Sequence, residues 1–472
     1  MKVLLINPPI ENIIWLEIPS FVRENEGLFP PLGLMYIASY LKEHVKCEVK
    51  MLDALAENMS GEAIAKYAEN FSPDIIGITV HTHNLIDVIL LIRLIKKWNS
   101  HVHICLGGPH VNAFPEEIGN IPFVDSAVLN EGEVTFMELV SKLRAKSDFN
   151  KIKGIFFREE GIWVRAGLRE NPAVLDNLPF PDRNLVDYKK YLSILGKKSL
   201  MTTMLSSRGC PYQCTFCSTP KGFYRMRSPE NIVNEMEDCI QLGIREIHFV
   251  DDTFNVNIDR VIEMCNEIKK RKLKVKWSFR GRIDKITEVL LKKVKEAGCF
   301  RIHLGVETSS DEGLKRLKKG ITVEQIRQVF QWVRSMDIST VAYFLIGCPH
   351  EKNREDVLKT VTFAKEIDPD FALFNLLTPY PATELYEDGL MKKVLKGDYW
   401  REFSLRPQKS FTPQLWQEWL GQDELFELLK VAYRSFYLRP KFLLRILKIP
   451  QDPKIMAKRL KAGLEILKLS FK

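Results

Sequence analysis

Strand-like and helix-like patterns alternate in two successive series along the 472 residues, and this alternation confines the chain to α/β architectures. In the first series, short apolar runs at Val3–Asn7, Cys47–Leu52, Ile75–Val80, His103–Gly107 and Ser126–Leu129 read as buried strands. Pro31–His44, Ile86–Trp98 and Val134–Leu143 carry apolar residues at helical spacing. Together they predict a doubly wound parallel sheet over residues 1–150. Ligands of such sheets sit beyond the carboxyl ends of the strands. Three turns fall there: Asn7-Pro8-Pro9, Thr79-Val80-His81 and Gly107-Gly108-Pro109-His110. The glycine pair lets backbone approach a bulky ligand closely. No Gly-x-Gly-x-x-Gly follows the first strand, which disfavours a dinucleotide.

The second series has strand patterns at Leu200–Leu205, Glu246–Val250, Lys276–Phe279, Arg301–Gly305, Val341–Ile346 and Phe371–Leu376. Ser228-Pro229-Glu230 supplies an N-cap with Pro at the first helical position, and Thr322-x-x-Gln325 is a capping box. Six strand–helix units predict a partial (β/α)6 barrel over 199–385, with its site at the C-terminal strand ends. Residues 151–198 read as a connector with a hairpin over Gly154–Arg165, and 386–472 as a helical C-terminal region.

The loop after the first strand of the second series runs Ser207-Arg-Gly-Cys-Pro-Tyr-Gln-Cys-Thr-Phe-Cys-Ser218. Cys210, Cys214 and Cys217 place three soft ligands within eight residues. A cubane cluster normally takes four cysteines, so a set of three leaves one iron open. An open position is what catalytic metal sites keep and structural ones close. The competing reading is a zinc knuckle completed by a distant His. Zinc sites usually arrive as Cys-x2-Cys pairs, and the x3-then-x2 spacing here differs.

With Phe216 before its last Cys, the loop resembles the signature of radical S-adenosylmethionine (SAM) enzymes. The resemblance implies a [4Fe–4S] cluster on Cys210, Cys214 and Cys217 whose open iron chelates SAM. It also implies an external one-electron reductant, such as flavodoxin or ferredoxin, and a 5′-deoxyadenosyl radical. The rim runs Asp251-Asp252-Thr253-Phe254, Arg280-Gly281-Arg282, Gly305-Val306-Glu307-Thr308 and Gly347-Cys348-Pro349-His350-Glu351 fit it. It makes Phe216, Glu307 and Gly347 the expected SAM contacts. Glu307 has the chemistry for ribose hydroxyls, the alternative being an ion pair with Arg280 or Arg282. Where the family usually shows Gly-x-Pro-Gly-Glu-Thr, this chain has Gly347-Cys-Pro-His-Glu-Lys352. Cys348 is thereby a candidate hydrogen-atom or thiolate donor, set against a packed thiol.

Residues 1–150 resemble the cobalamin-binding domain found ahead of many radical SAM domains. The match rests on Asn7-Pro8-Pro9, Pro30-Pro31-Leu-Gly-Leu, Gly107-Gly-Pro-His110 and Asn130-Glu-Gly-Glu133. It implies cobalamin contacts at Asn7, Pro8, Thr79, Gly107, Gly108, Pro109, His110 and Glu131. Carriers that ligate cobalt from below use Asp-x-His-x-x-Gly, and this chain reads Asn7-Pro8-Pro9-Ile10-Glu11 instead. Cobalt bound without a lower His is expected, with His81, His83 and His110 as the residues to watch.

The implied function is cobalamin-dependent modification of an unactivated carbon, foremost methyl transfer. The alternative is oxidative cyclisation or ring rearrangement of a porphyrin- or lipid-like substrate, like the anaerobic magnesium-protoporphyrin monomethyl ester cyclase. A non-catalytic corrinoid- or metal-binding carrier is the competing class. A small-molecule or lipid-like substrate is expected, and no nucleic acid.

Nine cysteines without regular spacing argue against a disulfide framework. The start, Met1-Lys-Val-Leu-Leu-Ile-Asn-Pro-Pro9, has too short an apolar run for a signal peptide, so a reducing cytoplasm is expected, oxygen-poor because a cluster with an exposed iron is oxygen-sensitive. The net charge of +9 is concentrated at the end: residues 431–472 hold eleven Lys and Arg against Asp452 and Glu465. That tail either lies peripherally on the inner membrane face or caps the core with a solvated basic side.

Overall fold

The structure is a computed structural model that describes residues 1–14, 27–170, 174–193, 199–219 and 223–448. Two compact units divide the chain, the first drawing on residues 28–191 and 398–412 besides the N-terminal strand.

The first unit holds a seven-stranded sheet in the order β2-β1-β3-β4-β5-β6-β7. Strands β1 (Lys2–Asn7), β2 (Glu48–Asp53), β3 (Ile75–Thr79), β4 (His103–Gly107) and β5 (Ser126–Val128) run parallel. Val3 to Ile6 are at most 1% exposed, as expected of a strand covered on both faces. The order reverses between β1 and β3, and sheets of this kind bind ligands at the carboxyl ends of such a switch point. Leu34, Met35, Ala38 and Leu41 of the helix Leu32–His44 share a core with Phe136, Leu139 and Val140 of Gly132–Ala145.

Two features differ from the sequence expectation. The helix Gly61–Phe71, capped by Ser60, buries only Ile64, Ala68 and Phe71 beyond its first residue, too sparse a pattern to stand out. The hairpin expected in a connector is β6 (Ile155–Glu159) and β7 (Ile162–Arg165), which extend the first sheet antiparallel to β5. Trp163 fixes its outer strand by stacking on Phe156 and donating Nε1–H to the Gly119 carbonyl at 3.2 Å.

The second unit is a six-stranded sheet in the order β15-β14-β13-β12-β11-β8. Its strands are β8 (Met201–Met204), β11 (Glu246–Phe249), β12 (Lys276–Gly281), β13 (Cys299–Glu307), β14 (Ser339–Ile346) and β15 (Phe371–Leu376). All neighbours are parallel and consecutive in the series, the arrangement of an open (β/α)6 half-barrel. Phe249, Trp277, Phe279, Phe344 and Phe374 form one almost fully buried face. The expected caps are present: Ser228 Oγ accepts from Asn231 N, and Thr322 and Gln325 complete the capping box.

Tyr433 and Phe436 of the helix Gln422–Tyr437 pack edge-on against Phe374. Tyr433 Oη donates to the Phe374 carbonyl at 3.0 Å, and Tyr437 Oη to that of Ala372 at 2.8 Å. Arg439, Lys441 and Arg445 all ion-pair with Asp368, at the end of the helix Arg354–Ile367. The described part of the basic tail is therefore a cap on the half-barrel, and 449–472 lie outside the described residues. Among the described residues no helix is long and apolar enough to cross a membrane.

Candidate cluster and cofactor sites

The cysteine loop begins where β8 ends and is closed at its base by a short antiparallel ribbon, β9 (Ser207–Arg208) with β10 (Arg225–Met226). Gly209 has φ +82°, and a Cβ there would stand 1.9 Å from the Phe223 carbonyl oxygen, so only glycine fits. The fully buried Asp251, beyond β11, accepts from Ser206 N at 2.8 Å and from the hydroxyls of Ser206 and Ser207. Asp252 takes the Thr219 hydroxyl at 3.2 Å and the Gly209 N–H. Thr253 Oγ1 lies 3.3 Å from Cys210 Sγ. The run Asp251-Asp252-Thr253 thus clamps the loop from the neighbouring strand.

The far side of the loop is held as firmly. Thr215 donates its N–H to the Leu317 carbonyl at 3.1 Å and accepts from Leu385 N at 2.9 Å. The Arg282 guanidinium stacks on the Tyr212 ring at 3.6 Å, donates to Asp284 at 2.8 Å and also reaches the Lys319 carbonyl. Phe216 packs against the apolar cluster of Leu317, Leu377, Leu385 and Trp416.

Cys210, Cys214 and Cys217 are free, half-buried thiols on this one loop. Among the described residues no three His, Cys, Asp or Glu side chains converge on a ready-made metal position. The donor set nonetheless fits an iron–sulfur cluster by its chemistry: three soft thiols, with cations beside them. Burial pushes the Cys214 thiol up, and Lys319 and then Arg282 pull it back. Cys105, Cys239, Cys265 and Cys299 are buried, and Cys47 is half-buried.

Glu307 closes β13 at a register shift, with φ +66° and only 5% of its surface exposed. A buried non-glycine residue in this left-handed region is a position the surroundings must enforce. Its partner is Lys319, Nζ to Oε1 2.5 Å, not the Arg280 or Arg282 that sequence reasoning offered. Burial disfavours the Lys319 ammonium, but Glu307 and Cys214 outweigh it and leave its pKa raised. Gly305 makes room for the pair, since a Cβ there would collide with both charged groups. Lys319 escaped the sequence reading; Lys318-Lys319-Gly320 before the capping box was its only trace.

After β14, Gly347 adopts φ +81°. Its N–H and that of Cys348 both donate to Glu351 Oε2, at 2.8 and 2.9 Å, and Thr360 Oγ1 reaches Oε1 at 3.3 Å. Cys348 itself is 1% exposed in the apolar cluster under Phe216, and burial pushes its thiol well up. Cys348 is thus a packed thiol.

In the first unit the expected contacts gather at the strand ends. Asn7 Nδ2 donates to Asp53 at 2.8 Å, which also accepts the Tyr191 hydroxyl at 2.6 Å. Gly108, at φ +107°, lies so close to Thr79 and Val80 that a Cβ would stand 2.9 Å from Thr79 Oγ1. Gly107 accepts from Val80 N at 2.7 Å, and Pro109 opens the next helical turn, exposed. Pro8 is buried, and Glu131 directly precedes the helix Gly132–Ala145.

His110 is turned inward. It is fully buried, with Nδ1 3.0 Å from Thr82 Oγ1 and Nε2 3.4 Å from Ser404 Oγ. Burial and then His81 push it down to about 3, so it is a neutral ring that braces the loop. His81 and His83 stack on each other at 5.0 Å.

Residues 204–364 match the Radical SAM superfamily, and residues 21–140 the B12 binding domain. The first takes a [4Fe–4S] cluster and SAM and requires a reductant, and the second takes cobalamin. The chain is 34% identical to the uncharacterized methyltransferase PH0819 of Pyrococcus horikoshii, over 94% of each protein. It is 28% identical to the anaerobic magnesium-protoporphyrin IX monomethyl ester cyclase of Rubrivivax gelatinosus, over 94% of this chain and 78% of that one. Its fold is similar to that of the cobalamin-dependent SAM radical enzyme OxsB, solved with aqua-cobalamin and SAM bound. The TM-score is 0.73 at 18% identity, covering 99% of this chain and 72% of that one. With both domains in one chain and such a relative along nearly its whole length, the protein belongs to the family of cobalamin-binding radical SAM enzymes.

Proposed function

We propose that the protein transfers a methyl group to an unactivated carbon of a small molecule. The observation that carries this reading is the three-cysteine loop, clamped on both sides and flanked by the Lys319–Glu307 pair. Cys210, Cys214 and Cys217 would hold the cluster, and Phe216, Glu307 and Gly347 would border SAM. Asn7, Pro8, Thr79, Gly107, Gly108, Pro109 and Glu131 would form the cobalamin rim, with His110 bracing it from behind. When bound, cluster and SAM supply the radical chemistry and cobalamin the methyl group. The chain's own part is to fix the loop, present Glu307 to hydroxyl groups and hold Lys319 charged beside the thiols. Oxidative cyclisation is the second reading, favoured by the similarity to the cyclase.

The test is anaerobic reconstitution followed by methyl-labelled SAM in extracts of a deletion strain. About four irons per chain, bound cobalamin and 5′-deoxyadenosine released under dithionite are expected. Label recovered in a metabolite or lipid supports methylation. A consumed metabolite without label supports cyclisation, and no SAM cleavage leaves only a carrier. Nine free cysteines suit a reducing cytoplasm. Contact with the inner membrane face would rest on 449–472, because Arg439, Lys441 and Arg445 are held by Asp368.

A further inference from the structure

The half-barrel has two faces, and only one of them is apolar. Side chains alternate across a strand, so Phe249, Phe279, Ile302, Phe344 and Phe374 share the buried face that meets the helix Gln422–Tyr437. The opposite face carries a polar group at its middle. Arg280 on β12 is the direct cross-strand neighbour of His303 on β13. His303 Nδ1 lies 2.9 Å from the Tyr343 hydroxyl on β14, which Arg280 also reaches.

Arg280 is exposed and forms no ion pair among the described residues. Asp252, a carboxylate that feels its charge, is already occupied by Thr219 and the Gly209 N–H. A second guanidinium, Arg301, lies deeper in the sheet, held by Ser339 at 3.3 Å and flanked by Phe300 and Phe371. His303 stays neutral, because burial and the charges of Arg301 and Arg280 push it down to about 3. A neutral imidazole and a phenol can each offer a hydrogen bond without adding charge. This group adjoins the Glu307–Lys319 pair: Tyr343 is the cross-strand neighbour of Gly305, against which both charged groups stand.

We infer that Arg280, His303 and Tyr343 form an oxyanion subsite on the open face of the half-barrel, and that the substrate carries a phosphate, phosphonate or carboxylate group seated there. The inference deepens the proposed function by naming a substrate class for the same site. A guanidinium is suited to such groups because its fork matches two oxygens at once.

The test uses the full reconstituted chain and calorimetric titration with phenyl phosphate, phenylphosphonate, benzoate and neutral benzyl alcohol. At least one anionic probe should bind, and which one names the oxyanion. Benzyl alcohol should not. Arg280→Gln should weaken that probe about tenfold or more, the scale of a lost charged hydrogen bond. Tyr343→Phe should weaken it about threefold. Thermal melts of both variants check that the fold is retained. Equal binding of benzyl alcohol, or an unchanged affinity in Arg280→Gln, would overturn the inference. So would an equal loss of SAM affinity in that variant, which would assign the anion to the SAM carboxylate. The proposed function fails separately, if the wild-type chain takes up no cluster or leaves SAM intact while still binding the anionic probe.

Discussion

Lys319 and Glu307 are a nearly buried ion pair, and their separation should cost more than their joint removal. Lys319→Met leaves the Glu307 carboxylate, 5% exposed, without its cation. A loss of about 3–5 kcal/mol is expected in urea unfolding, partly restored by adding Glu307→Gln. Glu351 makes a prediction of opposite sign to the usual carboxylate. Burial raises its pKa from 4.5 to about 7 in the fold, so between these values the folded chain holds a proton that the unfolded chain has lost. Its contribution is intact below pH 4.5 and declines as pH rises toward 7. Glu351→Gln keeps an oxygen for the Gly347 and Cys348 N–H groups. Its stability relative to wild type should therefore increase from pH 5 to pH 8 by up to about 2–3 kcal/mol, read from paired urea titrations. The cysteines were legible because three identical rare residues share one loop. Lys319 was not, because a lysine's partner twelve positions away depends on how β13 ends.

At the scale of elements, the loop geometry hangs on Gly209. Gly209→Ala should fold into both sheets yet fail to retain iron, because the collision with the Phe223 carbonyl forces the ribbon apart. Circular dichroism and iron content, measured together, check this; full iron uptake would show that the ribbon can shift. The central strands of the first sheet were legible because they are buried on both faces and so appear as unbroken apolar runs, whereas β14 and β15 of the half-barrel show alternation instead. The helix Gly61–Phe71 was not, having few buried positions. The hairpin of β6 and β7 was visible as a hairpin, but local pattern does not state which sheet it extends. The capping signals at Ser228 and Thr322 held because both are settled within four residues of chain.

For the whole molecule, the choice of truncation point matters. A chain ended at 430 loses Tyr433, Phe436 and Tyr437, which cover Phe374 and meet the β15 backbone. It should melt well below the intact protein. A chain ended at 448 keeps the cap and should melt above the chain ended at 430. Co-sedimentation with anionic liposomes then isolates 449–472: binding by the intact protein that weakens with salt and vanishes on ending at 448 would assign membrane contact to that segment.

The tyrosine contacts along β15 have a consequence of another kind. An unclosed barrel ends in a strand whose outward backbone groups could recruit a strand from another molecule. Tyr433 and Tyr437 occupy the Phe374 and Ala372 carbonyls, and Ala372 N also lies 3.1 Å from Tyr437 Oη. The helix that bears them occupies this edge, so β15 is not free to pair with a strand of another molecule while the barrel stays unclosed.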